Sequence, residues 1–470
     1  MTYTPIHPDT TRPAVRLDAG TWNGLAADLD GRLHLPDSPD WSTATQAWNL
    51  SIAQRPAAVV TAANTADVVK TVRFAAAHRI RVSAQPSGHG ATRALDDTIM
   101  IRTAALDDIW IDSTARIARV GAGVKWGVLQ SALDGTGLTG LVGSNPDVSV
   151  VGFCLGGGLS WLTRPFGPGS GSLSAVELVD AQGVHRWVSD DESPELMWAL
   201  RGGGGEFGIV TAVEIDLFPA PEITGGRLVF PAAQAASVLR AVTAVTASAP
   251  AELTVWTSIM HFPPIPDLPE EIRGQSFCFV DTVLLGSPGD LAAHLTPIRA
   301  AGTVLRDTVR PLQPGDLGGV CEEPVDPSPG IHSSMMLGTL DDAVVDLVVN
   351  RVGTPGTTPL TQVQFRHLGA AALAGRDGAV DLRRCGAEFA VTAIAIAPVP
   401  ELLDAAAAAM TALWHDLAPW AAGPTLPTLL GPNESPKRAY DAPTLAALRR
   451  LKQAVDPSYV VRGNYPVHGR

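Results

Sequence analysis

Three glycine-rich segments crowd into the first half of this chain, and they restrict its fold more than any other feature. They read Q-P-S-G-H-G-A-T at 85–92, G-S-N-P-D-V-S-V-V-G-F-C-L-G-G-G-L-S-W at 143–161 and R-G-G-G-G-E-F-G-I-V-T at 201–211. Without a Cβ the backbone turns tightly, and its amides can approach an anion closely. Three such loops suit a long anionic ligand such as a dinucleotide, while each taken alone suits a tight turn equally well. No G-x-G-x-x-G follows the first strand with an acidic residue at the spacing a Rossmann unit needs, so that arrangement is excluded.

Short apolar runs alternate with helical patterns around these loops. Residues 59–61 read as a strand. Residues 64–78 (N-T-A-D-V-V-K-T-V-R-F-A-A-A-H) read as a helix capped by Thr65, with Val68, Val69, Val72, Phe74 and Ala75 at helical spacing. Strands are expected at 80–83, 98–101, 109–111 and 118–120, and a helix at 124–133. This alternation predicts a parallel or mixed sheet with crossover helices. From about residue 225 the character changes. Strand-like runs at 228–230, 253–255, 277–280 and 363–365 are separated by alanine-rich helical stretches at 233–246 and 399–417 and by a proline-rich loop at 261–269. A last helix at 442–455 stops at Asp456 and Pro457. A chain of 470 residues exceeds one ordinary core. The expected fold is therefore α+β in two units: 1–222, rejoined by 420–470, and a second α+β unit over 223–419, an antiparallel sheet covered by helices.

Composition narrows the partners. Hydrophobic residues make up 46% and charged residues 17%, as in a chain with a large core. The net charge of −13 repels nucleic acid and anionic membranes, and no run of Lys and Arg overturns it locally. Cys154, Cys278, Cys321 and Cys385 are widely spaced, so neither a disulfide framework nor a metal site is expected. No 18-residue uncharged apolar stretch reads as a membrane span, and residues 1–13 hold no apolar leader, so a cytoplasmic location is expected. A monomer and a homodimer are equally compatible with the sequence.

Two residues in the glycine loops carry reactive groups. His89 lies between two glycines, and Cys154 precedes Gly156, Gly157 and Gly158. Alone, the first reads as an ordinary loop histidine and the second as a small buried hydrophobe. In order along the chain, however, stand R-P-A-A-V-V, the helix with T-A-D-V-V, S-G-H-G, A-R-V-G-A-G-V-K-W, the long G-S-N-P-D segment, W-A-L-R-G-G-G-G-E-F-G-I-V-T and V-D-P-S-Y-V-V-R-G-N. This set resembles the FAD-linked oxidases with a two-lobed PCMH-type FAD-binding domain, and among them the berberine-bridge-enzyme-like branch. The resemblance covers residues 50–220 and 435–465.

The resemblance implies covalent FAD. His89 occupies the place of the histidine bonded to the flavin 8α-methyl group, and Cys154 is matched to a cysteine bonded to flavin C6, which would make the attachment bicovalent. The phosphates are expected against Pro86, Ser87, Gly88, Gly90 and Ala91, and against Gly143, Ser144, Asp147, Val150 and Gly152, with Gly156 and Gly157 following. Gly208, Ile209 and Val210 match a segment near the adenosine half, and Asn464 a position beside the flavin ring.

The sequence departs from the family at the catalytic base. A tyrosine is usual near an N-F-L-G-like segment, and here the matching residues, 426–431, read L-P-T-L-L-G. Glu388, His367 and His332 are the candidates to replace it. The expected function is oxidation of a small organic substrate (alcohol, sugar or polycyclic natural product of secondary metabolism) by hydride transfer to FAD, with O2 as acceptor. A dehydrogenase using another acceptor is the near variant. The alternative is a flavoprotein without net redox turnover, performing a cyclisation, an isomerisation or metabolite binding, and an interaction protein with an empty site is a third reading.

Overall fold

The computed structural model describes residues 17–266, 268–369, 375–396 and 400–468. The leader expectation at 1–13 lies outside them. Strands Ala58–Thr61, Thr98–Arg102 and Arg81–Ala84 pair in parallel, and Arg32–His34 adds antiparallel to the first. The crossover between the first and last of the parallel three is the helix Thr65–His78, which buries Val68, Val72 and Ala75 with Val60, Val82 and Ile101. Its cap is Asn64 rather than Thr65: the Asn64 side chain accepts the Asp67 amide at 3.1 Å. Asp67, inside the first turn and fully buried, fixes the preceding loop by accepting the amides of Asp30, Gly31 and Ala63 at 2.8–2.9 Å.

The single sheet expected in the first half is two sheets. The second is antiparallel, in the order Ile109–Asp112, Ile117–Gly121, Ile209–Asp216, Leu173–Val179 and His185–Ser189. The helices Trp126–Ala132 and Val150–Leu155 lie beside it, with Trp126, Leu129 and Cys154 in one continuous core with Val120 and Val213.

The remaining unit is one antiparallel sheet. Its order is Arg306–Asp307, Ile223–Pro231, Ser276–Leu284, Leu253–His261, Gln362–His367, Phe389–Ala395 and Ile331–Leu337, with Arg310–Leu312 also paired to Ile223–Pro231. The strands run well beyond the short runs expected at 228–230 and 253–255. Side chains alternate between its faces. Val255, Ile259, Val363, Phe365, Val391 and Met335 pack under the helices Ala235–Thr246, Pro288–Ala300, Asp342–Val352 and Pro400–Leu417. The opposite face carries Trp256, Ser258, Asp281, Gln364, Arg366 and His332, and it meets the first unit. There Trp256 stacks on Trp161 with ring centroids 3.7 Å apart.

The chain finishes on the first unit. The helix Ala442–Val455 packs on Pro194–Leu200. Beyond it, the amide of Val82 donates to Val460 O and that of Arg462 to Val82 O, which adds the tail to the edge of the first sheet. One buried ion pair clamps this arrangement. Lys452 Nζ donates to Asp456 Oδ2 at 2.7 Å, to Glu206 O at 2.6 Å and to Val461 O at 2.7 Å, while Asp456 accepts the amides of Val460 and Val461 at 2.9 Å. Among the described residues no helix is long and apolar enough to cross a membrane, and no group of three or more His, Cys, Asp and Glu side chains is placed to hold a metal ion.

Candidate cofactor and substrate site

The loop after strand Arg81–Ala84 carries His89 beside Trp48 and Asp147, with the tail residue Asn464 close to the neighbouring Gly90. Gly88 has φ +90°, and a Cβ there would lie 2.9 Å from Ala47 Cα, so the loop requires glycine at this position. Its outer edge is held by the amides of Trp48 and Asn49, which donate to the carbonyls of Ser87 and Gly88. The amides of Gly88, His89 and Gly90 point elsewhere and meet no protein acceptor among the described residues. The His89 imidazole stacks on the Trp48 indole (centroids 4.2 Å apart, planes 20° from parallel). Trp48 is itself anchored by its N–H to Val325 O at 3.0 Å.

His89 Nε2 is buried without a hydrogen bond; the carboxylate of Asp147 is 3.6 Å away, beyond hydrogen-bond range. Burial depresses the His89 pKa to about 4, against the pull of Asp147, so the ring is neutral at pH 7. The other Asp147 oxygen is ion-paired to Lys125. Across the loop, Asn464 Nδ2 lies 3.6 Å from where a Cβ on Gly90 would be, and Asn464 Oδ1 is a second buried polar atom without a partner. Two orphaned polar atoms and a row of free amides in one cradle fit a polar, anionic, ring-bearing ligand, and FAD has that chemistry.

The other phosphate-side expectations fall into two groups. A Cβ on Gly152 would lie 3.9 Å from Pro86, so Gly152 fronts the His89 loop, and Ser144 Oγ accepts Arg366 Nη2 at 3.3 Å from the large sheet. Val150 is buried, with its amide donating to Val124 O. Gly143 packs on Phe153, and Gly156 and Gly157 pack on Thr428 and Leu426. Ile209 and Val210 send their side chains into two different cores, and Gly208 lies against Leu178 and Val179 O, which leaves this segment only backbone to offer a ligand.

The structure places Cys154, expected as a second tether, in the core of the first unit. On the helix Val150–Leu155, residues two apart point about 200° from each other. Gly152 is exposed toward Pro86, and Cys154 accordingly points into the core, fully buried beside Ser172. Desolvation pushes its thiol up to about 12, so no appreciable thiolate exists at neutral pH.

The three candidate bases separate in the same way. His367 has the parity of Val363 and Phe365, so it lies on the helix-covered face of the sheet. There its Nδ1 is 3.0 Å from Arg164 Nη1, and burial together with that cation pushes its pKa down to about 3. Glu388 belongs to the same corner: its carbonyl accepts the amides of Leu368 and Gly369, and its carboxylate lies near Arg164. Neither is at the cradle.

His332 is. Its Nε2 lies 3.0 Å from Leu430 O, which also accepts the Tyr465 hydroxyl at 2.6 Å, and Tyr465 follows Asn464 in the tail. A carbonyl only accepts, so Nε2 carries the proton and Nδ1 keeps its lone pair. Burial, aided by Arg366, lowers the His332 pKa below its usual value. Burial also holds the Tyr465 hydroxyl protonated, and Tyr440 donates its hydroxyl to Gly202 O as a structural bond. Trp48, Lys125 and Tyr465 belong to the site although no local sequence signal marks them.

Residues 56–189 match the family model described as an FAD binding domain. The chain is 33% identical over 195 residues to (R)-6-hydroxynicotine oxidase of Paenarthrobacter nicotinovorans, covering 41% of this chain and 43% of that one. It is 33% identical over 208 residues to glucooligosaccharide oxidase of Sarocladium strictum, covering 43% and 41%. These alignments thus span less than half the length of each relative. In three dimensions it superposes on Physcomitrella patens BBE-like 1 with a TM-score of 0.82 and 19% identity, over 95% of this chain and 98% of that one. Residues 56–189 thus form an FAD binding domain, and the chain as a whole shares the fold of Physcomitrella patens BBE-like 1.

Proposed function

We propose that this protein is an FAD-dependent oxidoreductase whose flavin is bonded to the chain through His89 alone. Its substrate is a small organic molecule oxidised between the cradle and the polar face of the large sheet, with O2 as electron acceptor. The observation that carries this reading is the pair of orphaned buried atoms, His89 Nε2 and Asn464 Oδ1, flanking the free amides of the 85–92 loop. The phosphates would rest on that loop and on Ser144 and Gly152, and the ring beside His89 and Asn464. When bound, FAD supplies the two-electron redox chemistry, and the chain's part is to hold it and to manage protons.

His332 is the group on the page suited to take the substrate proton. Its Nδ1 lone pair is free and its Nε2 is fixed on Leu430 O. His332→Gln should lower kcat by about 10²- to 10⁴-fold while the bound flavin content stays unchanged. A base acts when deprotonated, and this one has its pKa below 6.5, so the wild-type rate should be flat through neutrality and fall only in more acidic solution. An unchanged rate in the variant assigns the proton to another acceptor. Oxygen uptake and flavin bleaching with alcohols, oligosaccharides and polycyclic phenols test the redox reading itself. Conversion of a substrate that never bleaches the flavin would move the protein to the non-redox alternative, which the burial that keeps the Tyr465 hydroxyl protonated favours.

A further inference from the structure

Asp147 and Lys125 form an arrangement that cofactor binding alone does not explain. A phosphate-binding loop has no use for a carboxylate, which repels the anion it should hold. Here the carboxylate is turned sideways. Its Oδ1 is ion-paired to Lys125, and its Oδ2 faces the edge of the His89 ring, 3.6 Å from Nε2. The opposite constraint comes from Trp48, whose indole lies flat on the imidazole and prevents the ring from rotating away. Asp147 is itself held: its amide donates to Asn145 Oδ1 at 2.8 Å, and Asn145 Nδ2 donates to Pro324 O at 2.9 Å. The 3.6 Å separation is too long for a hydrogen bond, but a carboxylate only accepts, so a proton carried on the Nε2 edge would face Asp147 and leave the lone pair on Nδ1.

We infer that Asp147, steadied by Lys125, is the positioning residue and proton acceptor that makes His89 a nucleophile for its own flavin. This rests on the His89 tether proposed above. In the step, the Nδ1 lone pair forms a bond to the flavin 8α carbon as one C–H bond of that methyl group breaks. The Nε2 proton passes to Asp147 as positive charge develops on the ring. The electron pair of the broken C–H bond is left on the flavin, with two protons balancing the charge (one from the methyl group, one from Nε2 by way of Asp147). Dioxygen then takes both electrons and both protons and leaves as hydrogen peroxide. Lys125 holds the Asp147 carboxylate in place through their ion pair. Asp147 touches neither substrate nor the reacting carbon; it acts through His89.

The test is the covalent fraction of flavin in the full chain, read after acid precipitation, beside the total flavin bound to the folded protein. Wild type should keep its flavin in the pellet. Asp147→Asn should bind FAD with the wild-type stoichiometry but attach it at least tenfold more slowly, and Asp147→Glu should recover much of the rate. A purely structural role would lower total FAD and covalent FAD together. Should Asp147→Asn lose FAD altogether, Asp147→Glu against Asp147→Gln compares charge at equal size, and faster attachment in the Glu variant is expected. Attachment at the wild-type rate in Asp147→Asn, or equal rates in that pair, overturns the inference while leaving the tether standing. Flavin that washes out of wild type overturns the tether itself and this inference with it.

Discussion

His89→Ala should give a protein that is still yellow when folded but releases all of its flavin on acid denaturation, whereas Cys154→Ala should keep the flavin in the pellet as wild type does. The contrast follows from where the two side chains sit. The His89 ring borders the cradle, fixed by stacking on Trp48, with its Nε2 buried and without a hydrogen bond. Cys154 is fully buried beside Ser172, on the side of its helix opposite Gly152. Burial pushes the thiol up to about 12, which disfavours the reactive thiolate at pH 7. Binding of FAD should survive His89→Ala, because the loop amides and the tail remain. Acid-stable flavin in His89→Ala would contradict this assignment, and acid-stable flavin lost from Cys154→Ala would restore the second tether.

Lys452→Met should destabilise the protein by about 3–5 kcal/mol, the usual cost of removing one partner from a buried ion pair. The substitution keeps length and apolar volume, so what it removes is the charge and its three hydrogen bonds. It would leave the Asp456 carboxylate and the carbonyls of Glu206 and Val461 without their shared donor. Asp456 in turn orders the amides of Val460 and Val461, just before Asn464 and Tyr465. The variant should therefore show both a fall in Tm of several degrees and weaker retention of flavin in a His89→Ala background, where no covalent bond masks the loss. An unchanged Tm would mean that the tail is held by its strand contacts with Val82 alone.

Sequence reading reached the helix Thr65–His78, the final helix Ala442–Val455 and the His89 loop because their signals are local: apolar spacing, capping residues and glycines with a required φ. It missed the cap by one residue because Asn64 and Thr65 are both good caps and only the backbone decides between them. For Cys154, distance along the chain to a glycine run does not say which side of a short helix the residue occupies. His367 and His332 were indistinguishable by type, but the alternation of the strand Gln362–His367 puts His367 with Val363 and Phe365 under the helices. Trp48 and Tyr465 had no local signal at all. Trp48 matters through Val325, 277 residues away, and Tyr465 through Leu430, 35 residues away.

The clamped tail also bears on when the cofactor can be secured during synthesis. Asn464 and Tyr465 close one side of the cradle, and Lys452 locks them there only after the helix Ala442–Val455 has docked. A nascent chain that has emerged through the glycine loops, and even through the whole large sheet, still lacks that wall. If FAD binds as proposed, its capture would be ordered behind translation of residues 442–465, because a chain broken off before them lacks the Asn464 and Tyr465 side of the cradle.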